Sequence, residues 1–348
     1  MFDITVAVGG TVTERAAGTA TIDVHAHLIS EAALTEFGGT YPELGPTLVE
    51  RGTDYYLTYP GRAPLGPIRA AMFDVDERLA EMATQRVDLQ VLAVPPPQFF
   101  YHVPAGPGAD FARLQNDAML DVSAKYPHRL HVFGTLPLQD PAAAVSEIER
   151  LAGHDRVRGV QLGTNVNGAN LDAAELAPVW AALQEVGLPV WVHPDQRSIA
   201  GAERLTSYYL ANLIGNPLES TIAIACLIFG GVLAAYPRLR FGFVHGGGFV
   251  PYQSGRWDHG WQCRQEPRAV IDQPPTHYVE RMFFDSLTHD RESLLLLGRR
   301  VGWRNVVLGS DYPFDMASAD PVGAVEELHL DDADERAVLT ANAETFLR

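Results

Sequence analysis

Two histidines separated by a single residue, His25 and His27, lie in the apolar stretch Thr-Ile-Asp-Val-His-Ala-His-Leu near the start of the chain. Side chains two positions apart in a β-strand point to the same face, so the two imidazoles would lie close enough to bind one metal ion. One such pair also occurs by chance on surface strands and is weak evidence by itself. It makes a metal-dependent enzyme the first hypothesis.

Three other polar residues stand at the ends of apolar segments. His193 ends Leu-Pro-Val-Trp-Val-His, His245 ends Phe-Gly-Phe-Val-His before three glycines, and Asp311 follows Val-Val-Leu-Gly-Ser. In a (β/α)₈ barrel the carboxyl ends of all strands meet on the face that carries the active site. Residues far apart in the sequence, such as His25 and Asp311, are therefore expected to share one site.

Strand and helix patterns alternate along the chain in the way that parallel α/β folds require, which predicts a (β/α)₈ TIM barrel. Its eight strands are predicted near residues 22–28, 89–95, 130–136, 157–163, 189–194, 240–246, 281–286 and 305–310. Its helices are predicted at 76–86, 110–125, 142–152, 173–186, 217–236, 249–264, 291–299 and 333–346.

A single catalytic domain over residues 1–348 is expected, because 47% of the residues are apolar and one barrel can have this length. Residues 1–20 are an N-terminal extension that is predicted to form a small hairpin. The segment 30–73, rich in Gly, Pro and Tyr, is too long for an ordinary connection between a strand and a helix. It is predicted to be an insertion, a lid or subdomain, over the active site.

The composition excludes several classes of partner. A net charge of −17 without a basic run argues against nucleic acid. The apolar run 221–235 is shorter than a membrane span needs, so a buried helix explains it and no membrane partner is expected. The N-terminus has no basic region before its apolar residues, so we expect no signal peptide. Cys226 and Cys263 lack CxxC spacing and suit reduced thiols in a cytoplasmic enzyme.

The imidazoles of His25 and His27, a third imidazole from a later strand end and one carboxylate would make a site for zinc, and also for manganese, iron or cobalt. Related binuclear sites use a carbamylated lysine on a central strand, but the only lysine of this chain, Lys125, lies in a helical pattern. The sequence therefore predicts one divalent metal per chain, with Zn²⁺ as the first choice.

His245 has two candidate roles. It could be the general base for a metal-bound water, because an imidazole pKa near ~6.5 suits proton transfer at neutral pH. Alternatively, it is a fourth nitrogen ligand. His102, in the loop after the second strand, could touch the substrate. The remaining histidines, His131 among them, are predicted to be surface or capping residues, and Asp23, on the other face of its strand, to be structural.

These motifs resemble those of the amidohydrolase-superfamily decarboxylases, most of all the aminocarboxymuconate semialdehyde decarboxylase family. The similarity runs from about residue 21 to the C-terminus through Asp-Val-His-Ala-His, Val-His-Pro, Asn-Pro-Leu-Glu-Ser-Thr-Ile-Ala, His-Gly-Gly-Gly-Phe-Val-Pro-Tyr-Gln-Ser-Gly-Arg and Leu-Gly-Ser-Asp-Tyr-Pro-Phe. The resemblance implies a (β/α)₈ barrel with one divalent metal, usually zinc, bound by His25, His27, His193 and Asp311.

The same resemblance implies that His245 is the catalytic histidine, with Asp311 beside it. It also implies a homodimer, since Arg256 matches an arginine that binds a substrate carboxylate in the neighbouring active site. Two features differ. The family has His-Pro-Trp-Asp after the fifth strand, whereas here Asp195 replaces the aromatic residue, and the family's other substrate-binding arginine has no direct counterpart. Arg62 and Arg69 flank its place, and we favour Arg69 for bidentate carboxylate binding.

The function expected from these residues and this resemblance is nonoxidative decarboxylation of an unsaturated or aromatic carboxylic acid, similar to aminocarboxymuconate semialdehyde or to a hydroxybenzoate. A metal-bound water and His245 would carry the proton transfers. The alternative is a metal-dependent hydrolase or hydratase of a related cyclic or unsaturated acid, with Asp195 as an added acid or base. A third alternative is a metal-binding scaffold without activity, against which the presence of His245 argues.

Overall fold

The computed structural model describes residues 20–52, 54–61 and 64–348, together with the backbone of 4–8 and 11–15. In this part of the chain, eight parallel strands form one sheet in which neighbours follow chain order. The strands are β1 (Ile22–His27), β2 (Leu89–Ala93), β3 (Leu130–Thr135), β4 (Val157–Gly163), β5 (Val190–His193), β6 (Phe241–Phe243), β7 (Phe283–Asp285) and β8 (Val306–Val307).

The first strand closes the barrel against the chain that follows the last strand. The N–H of Val24 donates to the carbonyl of Leu308 at 3.0 Å, and the N–H of His27 donates to the carbonyl of Tyr312 at 2.7 Å. The N–H of Asp311 donates to the carbonyl of His25 at 2.8 Å. The predicted TIM barrel is therefore confirmed, and closure itself places Asp311 beside the histidine pair.

The helices are α1 (Glu31–Thr40), α2 (Val75–Thr84), α3 (Ala105–Lys125), α4 (Pro141–Leu151), α5 (Ala177–Val186), α6 (Asn216–Phe229), α7 (Val232–Ala235), α8 (Val250–Cys263), α9 (Pro275–Val279), α10 (Arg291–Val301), α11 (Pro321–Glu326), α12 (Asp332–Arg336) and α13 (Asn342–Phe346). Aspartates cap several of them. Asp74, Asp140 and Asp290 accept hydrogen bonds from first-turn N–H groups of α2, α4 and α10.

Two predicted helices are interrupted. The helix expected over 217–236 is two helices, α6 and α7, because Gly231 takes a φ of +81° that ends the first and starts the second. The helix expected over 333–346 contains a π-helical segment, Ala337–Ala341, between α12 and α13. Hydrophobic periodicity shows neither interruption, since the apolar positions continue through both.

The barrel is filled by large apolar side chains. Val24, Val91, Phe133, Trp191 and Val307 belong to one buried cluster that includes residues of β1, β2, β3, β5 and β8. A larger cluster joins the strands to the surrounding helices. The helical segment Ala211–Phe229 is the one described segment long and apolar enough to cross a membrane, with mean hydropathy 1.4 and 44% of its window buried. Its inner face belongs to this larger cluster, as a buried core helix requires.

The segment 30–73 is an insertion with its own small sheet. It holds α1 and three antiparallel strands, Thr47–Arg51, Asp54–Thr58 and Leu65–Ile68. Its apolar residues Phe37 and Leu57 share a cluster with Phe100 from the loop after β2 and with Phe314 from the segment after Asp311. The insertion therefore packs at the carboxyl end of the strands. At the N-terminus, Ile4–Val8 pairs antiparallel with Thr11–Arg15, as the expected hairpin requires.

Candidate metal centre

Four histidines from the ends of three strands, β1, β5 and β6, surround one point. The ring centroid of His25 lies 5.2 Å from those of His27 and His193 and 5.4 Å from that of His245. The centroid of His193 lies 5.1 Å from His27 and 5.2 Å from His245. The side chains of His25 and His27 are fully buried, and that of His193 is nearly so. The barrel thus assembles the residues that the sequence places at its strand tips.

Each of three imidazoles is held by a hydrogen bond at its Nδ1 atom. Nδ1 of His25 lies 2.7 Å from a carboxylate oxygen of Asp285, that of His27 lies 3.2 Å from the carbonyl of Val94, and that of His193 lies 2.8 Å from the carbonyl of Pro194. All three partners are acceptors, so in the neutral ring Nδ1 donates and Nε2 keeps its lone pair. This is the tautomer in which Nε2 can bind a metal.

The carboxylate of Asp311 faces these lone pairs. Its Oδ1 atom lies 3.1 Å from Nε2 of His25 and 3.1 Å from Nε2 of His27. Its Oδ2 atom lies 3.6 Å from Nε2 of His245. Asp311 takes a φ of +61°, a left-handed conformation that is uncommon outside glycine and is concentrated at functional sites.

The donor atoms at the centre fit a divalent metal ion. Nε2 of His25, His27 and His193 and Oδ1 of Asp311 are buried and, among the described residues, have no hydrogen-bond partner. Donor atoms of His25, His193, His245 and Asp311 all lie within 4.8 Å of one another. Buried polar atoms without partners are costly, whereas three imidazole nitrogens and a carboxylate oxygen are ordinary ligands of a divalent metal.

Burial and charge set the protonation of the cluster. Burial lowers the pKa of His193 well below its usual value, and the neighbouring imidazoles lower it further. Burial also lowers the pKa of His27. At His25, burial disfavours the charged form, but Asp311 and Asp285 outweigh it and raise the pKa to about 10. Burial opposes ionisation of Asp311, yet His25 and His245 hold its pKa well below the usual range. The carboxylate is therefore ionised and ready to bind a cation.

His245 differs from the other three histidines. Its side chain is 18% exposed, whereas the side chains of His25 and His27 are fully buried. Its main chain has a φ of +54°, and the next three residues, Gly246, Gly247 and Gly248, are also left-handed. A Cβ at Gly247 would lie 2.5 Å from the ring of Phe284, and one at Gly248 would lie 2.1 Å from a carbonyl oxygen. The three glycines therefore allow this turn, which presents His245 toward the open side of the cluster.

The sequence-based expectation of one metal agrees with the position of Lys125. This lysine is exposed in the last turn of α3. On the central strand β4, the buried polar residue is Gln161, whose amide donates to the carbonyl of Val94 at 2.8 Å.

Asp285 is a buried residue that the sequence analysis missed. It is the last residue of β7 and contacts the ring of His25. The sequence signal for Asp285 was available, because Met-Phe-Phe-Asp is another apolar strand that ends in a polar group.

Arg78 was missed for a different reason, since it lies in α2. Fully buried, it donates to the carbonyl of His27 and lies over the ring of Tyr312, 4.8 Å from its centroid.

The predicted substrate-binding residues lie in three different settings. Asp195 is half-buried in the turn after β5, where its carboxylate accepts from the N–H of Arg197 at 3.1 Å. Arg256 is exposed on α8. Arg69 is exposed, pairs with Glu81 and lies over the ring of Tyr312, 5.8 Å from its centroid. Of the three, Asp195 alone closely follows a histidine of the cluster, His193, in the sequence. Arg62 lies outside the described residues.

Two predictions about other residues have opposite outcomes. Asp23 is structural, as expected. It is fully buried, accepts from the N–H of His25 at 3.0 Å and accepts from the hydroxyl of Ser310 at 2.6 Å. The prediction that His131 is a surface or capping residue is wrong. It is 6% exposed, its Nε2 lies 3.2 Å from the carbonyl of Pro127, and Arg158 donates to its Nδ1 at 3.3 Å. Packing of β3 against β4 covers it.

Comparison with known proteins identifies similar sequences. A family model described as Amidohydrolase matches residues 22–348. The 2-amino-3-carboxymuconate-6-semialdehyde decarboxylase of Dictyostelium discoideum is 35% identical over 277 residues, which are 79% of this chain and 77% of that protein. The 2-keto-4-carboxy-3-hexenedioate hydratase of Sphingobium sp. (strain NBRC 103272 / SYK-6) is 24% identical over 59% of this chain and 61% of that protein.

Solved structures share the fold. The 5-carboxyvanillate decarboxylase of Sphingomonas paucimobilis matches with a TM-score of 0.81 at 23% identity, covering 94% of this chain and 99% of that one. The 5-carboxyvanillate decarboxylase of Novosphingobium aromaticivorans, in complex with manganese and 4-hydroxy-3-methoxy-5-nitrobenzoic acid, matches with a TM-score of 0.78 at 21% identity, covering 94% and 96%. The likeness extends over nearly the whole barrel in both cases.

Proposed function

The chain belongs to the amidohydrolase family, and on that premise we propose that it is a metal-dependent nonoxidative decarboxylase of an unsaturated or aromatic carboxylic acid. The observation that carries this proposal is the set of inward-facing donor atoms of His25, His27, His193 and Asp311, with His245 beside them. The names of the relatives support acids similar to aminocarboxymuconate semialdehyde or to a hydroxybenzoate.

His25, His27, His193 and Asp311 would hold one divalent ion, as the donor geometry suits. Bound there, the ion supplies Lewis acidity that favours negative charge on a substrate oxygen. Zn²⁺ is the metal we propose, with Mn²⁺, Fe²⁺ or Co²⁺ as the others that the donor set accepts. The manganese in the Novosphingobium structure makes Mn²⁺ the first alternative to test.

His245 would manage the proton. In decarboxylation, a proton joins the carbon that carries the carboxylate, the bond from this carbon to CO₂ breaks, and its electron pair restores the conjugated system. Nε2 of His245 lies 3.6 Å from Oδ2 of Asp311, and this contact would orient the imidazole for the transfer. The partial exposure of His245 lets it meet a substrate, while the ligands remain covered.

Substrate recognition is assigned to Asp195, Arg69 and Arg256. Asp195 adds a carboxylate to the turn after β5, and the two arginines would bind substrate carboxylates. To do so, Arg69 would have to break its ion pair with Glu81 and bind the substrate carboxylate instead. We further propose that the insertion 30–73 acts as a lid, since its apolar cluster includes Phe314, whose ring lies 5.1 Å from that of His27.

A homodimer is proposed, with Arg256 reaching the active site of the other subunit. The support for this dimer is the exposed apolar surface beside Arg256. Tyr252, on the first turn of α8, is 77% exposed, and Leu213 and Ile214, just before α6, are 47% and 41% exposed. The start of α8 packs against the start of α6, so these apolar side chains lie on one side of the barrel. A cytoplasmic location is proposed from the two isolated thiols, neither of them in a disulfide.

The second candidate function is hydration or hydrolysis of a related acid. It is supported by the similarity to a hydratase and by Asp195, which could act as an added acid or base. The products separate the two functions. A decarboxylase releases CO₂ and leaves a product lighter by that mass, whereas a hydratase or hydrolase yields products heavier by one water in total.

The first experiment is metal analysis of the purified protein, combined with CO₂ and mass detection over amino- and hydroxy-substituted unsaturated and aromatic acids. One metal per chain and CO₂ release are expected. Addition of water instead of CO₂ release would move the assignment to the second candidate, and Asp195→Asn would then be the first variant to test. A protein that binds no divalent metal would contradict both functions.

A further inference from the structure

Asp285 connects two parts of the site that come from different strands. Its side chain is fully buried. Its Oδ2 atom accepts from Nδ1 of His25 at 2.7 Å. Its Oδ1 atom accepts from the N–H of Gly246 at 2.8 Å and from the N–H of Leu287 at 3.2 Å. One carboxylate therefore contacts both a metal-ligand ring and the turn that carries His245.

We propose that Asp285 is a positioning residue of this enzyme, which fixes His25 as an Nε2 ligand and holds the His245 turn at a set place relative to it. The inference rests on the proposed metal site but adds a residue to it. Asp285 itself touches neither the metal position nor the substrate position, since both of its oxygens are engaged by His25, Gly246 and Leu287.

The contact with His25 determines which ring nitrogen carries the proton. A carboxylate can only accept, so Nδ1 of His25 donates, and in the neutral ring that binds a metal Nε2 keeps the lone pair that points to the cluster centre. Among the described residues, His25 is the one inward-facing ligand whose Nδ1 partner is a charged group. His27 and His193 use main-chain carbonyls. The carboxylate also raises the basicity of the ring and so strengthens its binding to a cation.

The contact with Gly246 fixes the left-handed turn after β6. Gly246 has a φ of +60° and follows His245 directly, so its N–H group moves with the His245 backbone. Within the turn, the N–H of Gly247 donates to the carbonyl of Val244 at 3.0 Å and that of Gly248 to the carbonyl of His245 at 3.1 Å, while the bond to Asp285 ties the turn to β7. Close approach is required for this arrangement. A Cβ at Gly309 would lie 2.6 Å from Cβ of Asp285 and 2.9 Å from Cβ of His25.

The test uses Asp285→Asn, which keeps the size of the side chain and one oxygen for the N–H of Gly246. Its amide NH₂ then faces Nδ1 of His25, which must accept, so the proton moves to Nε2 and blocks the ligand atom. We expect the dissociation constant for Mn²⁺, measured by electron paramagnetic resonance on the metal-free protein, to rise about 10–100-fold. Asp285→Ala should weaken Mn²⁺ binding similarly and also lower turnover at saturating metal, because the hydrogen bond from the N–H of Gly246 is lost.

Asp23→Asn is the matched control. Asp23 is equally buried and accepts from the main chain of His25, but it does not contact the imidazole ring. We expect this variant to lose thermal stability while its Mn²⁺ dissociation constant stays near that of the wild type. A folded Asp285→Asn protein that binds Mn²⁺ as tightly as the wild type would overturn the inference. A wild-type protein that binds no Mn²⁺ would instead contradict the metal site itself.

A second measurement serves if Asp285→Asn does not fold. In wild-type protein labelled with ¹⁵N-histidine and loaded with Zn²⁺, the long-range nuclear magnetic resonance spectrum reports the tautomer of each ring. The inference requires a proton on Nδ1 of His25 that is hydrogen-bonded and slow to exchange. A His25 ring protonated at Nε2, or one whose Nδ1 proton exchanges as fast as that of an exposed histidine, overturns it.

Discussion

Nε2 of His245 lies 3.6 Å from Oδ2 of Asp311, whereas His25 and His27 approach the other oxygen of this carboxylate, Oδ1. In the proposed site, Oδ1 of Asp311 would bind the metal and Oδ2 would orient the imidazole of His245. The two candidate roles of His245 require different partners for its Nε2 atom. A catalytic His245 needs Oδ2 as a partner, whereas a ligand His245 needs its Nε2 at the metal position.

The first prediction concerns His245→Ala. We expect it to keep one metal per chain, because His25, His27, His193 and Asp311 remain, and to lower kcat by about 10²–10⁴-fold, the usual contribution of a general acid or base. Metal content by inductively coupled plasma mass spectrometry and CO₂ release check the two parts. Asp311→Asn is the contrasting variant and should lose metal and activity together. Loss of metal from His245→Ala would make His245 a ligand.

Arg256 gives the second prediction. Arg256→Ala and His245→Ala should each be nearly inactive alone. If Arg256 serves the partner's site, co-expressed subunits form mixed dimers in which one active site has both residues, and activity returns to about a quarter of the wild type for random pairing. Sedimentation equilibrium establishes the dimer first. Absence of recovery in a verified mixed dimer places Arg256 in its own subunit's site.

The third prediction concerns Arg197, which links the loop after β5 to the loop after β2 and to the insertion. Its guanidinium donates to Nδ1 of His102 at 2.8 Å, and it lies 5.0 Å from the ring centroid of Tyr59 in the insertion and 5.4 Å from that of Phe100. Arg197→Ala should loosen the insertion, raising KM about tenfold and speeding proteolysis within residues 30–73.

Arg204→Ala is the control for Arg197, since Arg204 is an exposed arginine of the same loop. It should leave both the KM value and the cleavage rate close to those of the wild type. Equal behaviour of the two variants would show that the insertion is held by its apolar cluster alone.

A fourth prediction follows from the burial of His131, which lowers its pKa to about 4. In the unfolded chain the same group titrates near ~6.5, so between these values the unfolded state binds more protons. The free energy of unfolding should therefore be highest above pH 6.5 and fall as the pH drops toward 4, by up to about 3 kcal/mol from this residue. Urea denaturation of metal-free wild type and His131→Gln checks it. Parallel pH profiles would contradict the assignment.

The sequence predicted what local patterns control. The period-two spacing of His25 and His27 and the alternation of strands with helices are local, and barrel geometry then brings strand ends together, so the fold and the placement of His193 and Asp311 follow. The length of the segment 30–73 predicted an insertion there, but it did not predict the small sheet that this segment contains.

What the sequence did not predict depends on neighbours across the barrel. Asp285 has the same apolar-strand pattern as the ligands, but only its contact with Nδ1 of His25 distinguishes a hydrogen-bond acceptor from a metal ligand. The burial of His131 arises from Arg158 and the next strand, and the pairing of Arg69 with Glu81 from the orientation of α2. None of these contacts leaves a periodic signal.

Closure of the barrel by hydrogen bonds between β1 and the segment at Tyr312 has a consequence for biosynthesis. His25 and Asp311 are far apart in the sequence, so a nascent chain on the ribosome holds the histidine pair long before its carboxylate exists. The complete set of donor atoms forms only after residue 311 has been translated. A product truncated before residue 311 lacks this carboxylate, so we expect added metal not to restore its activity.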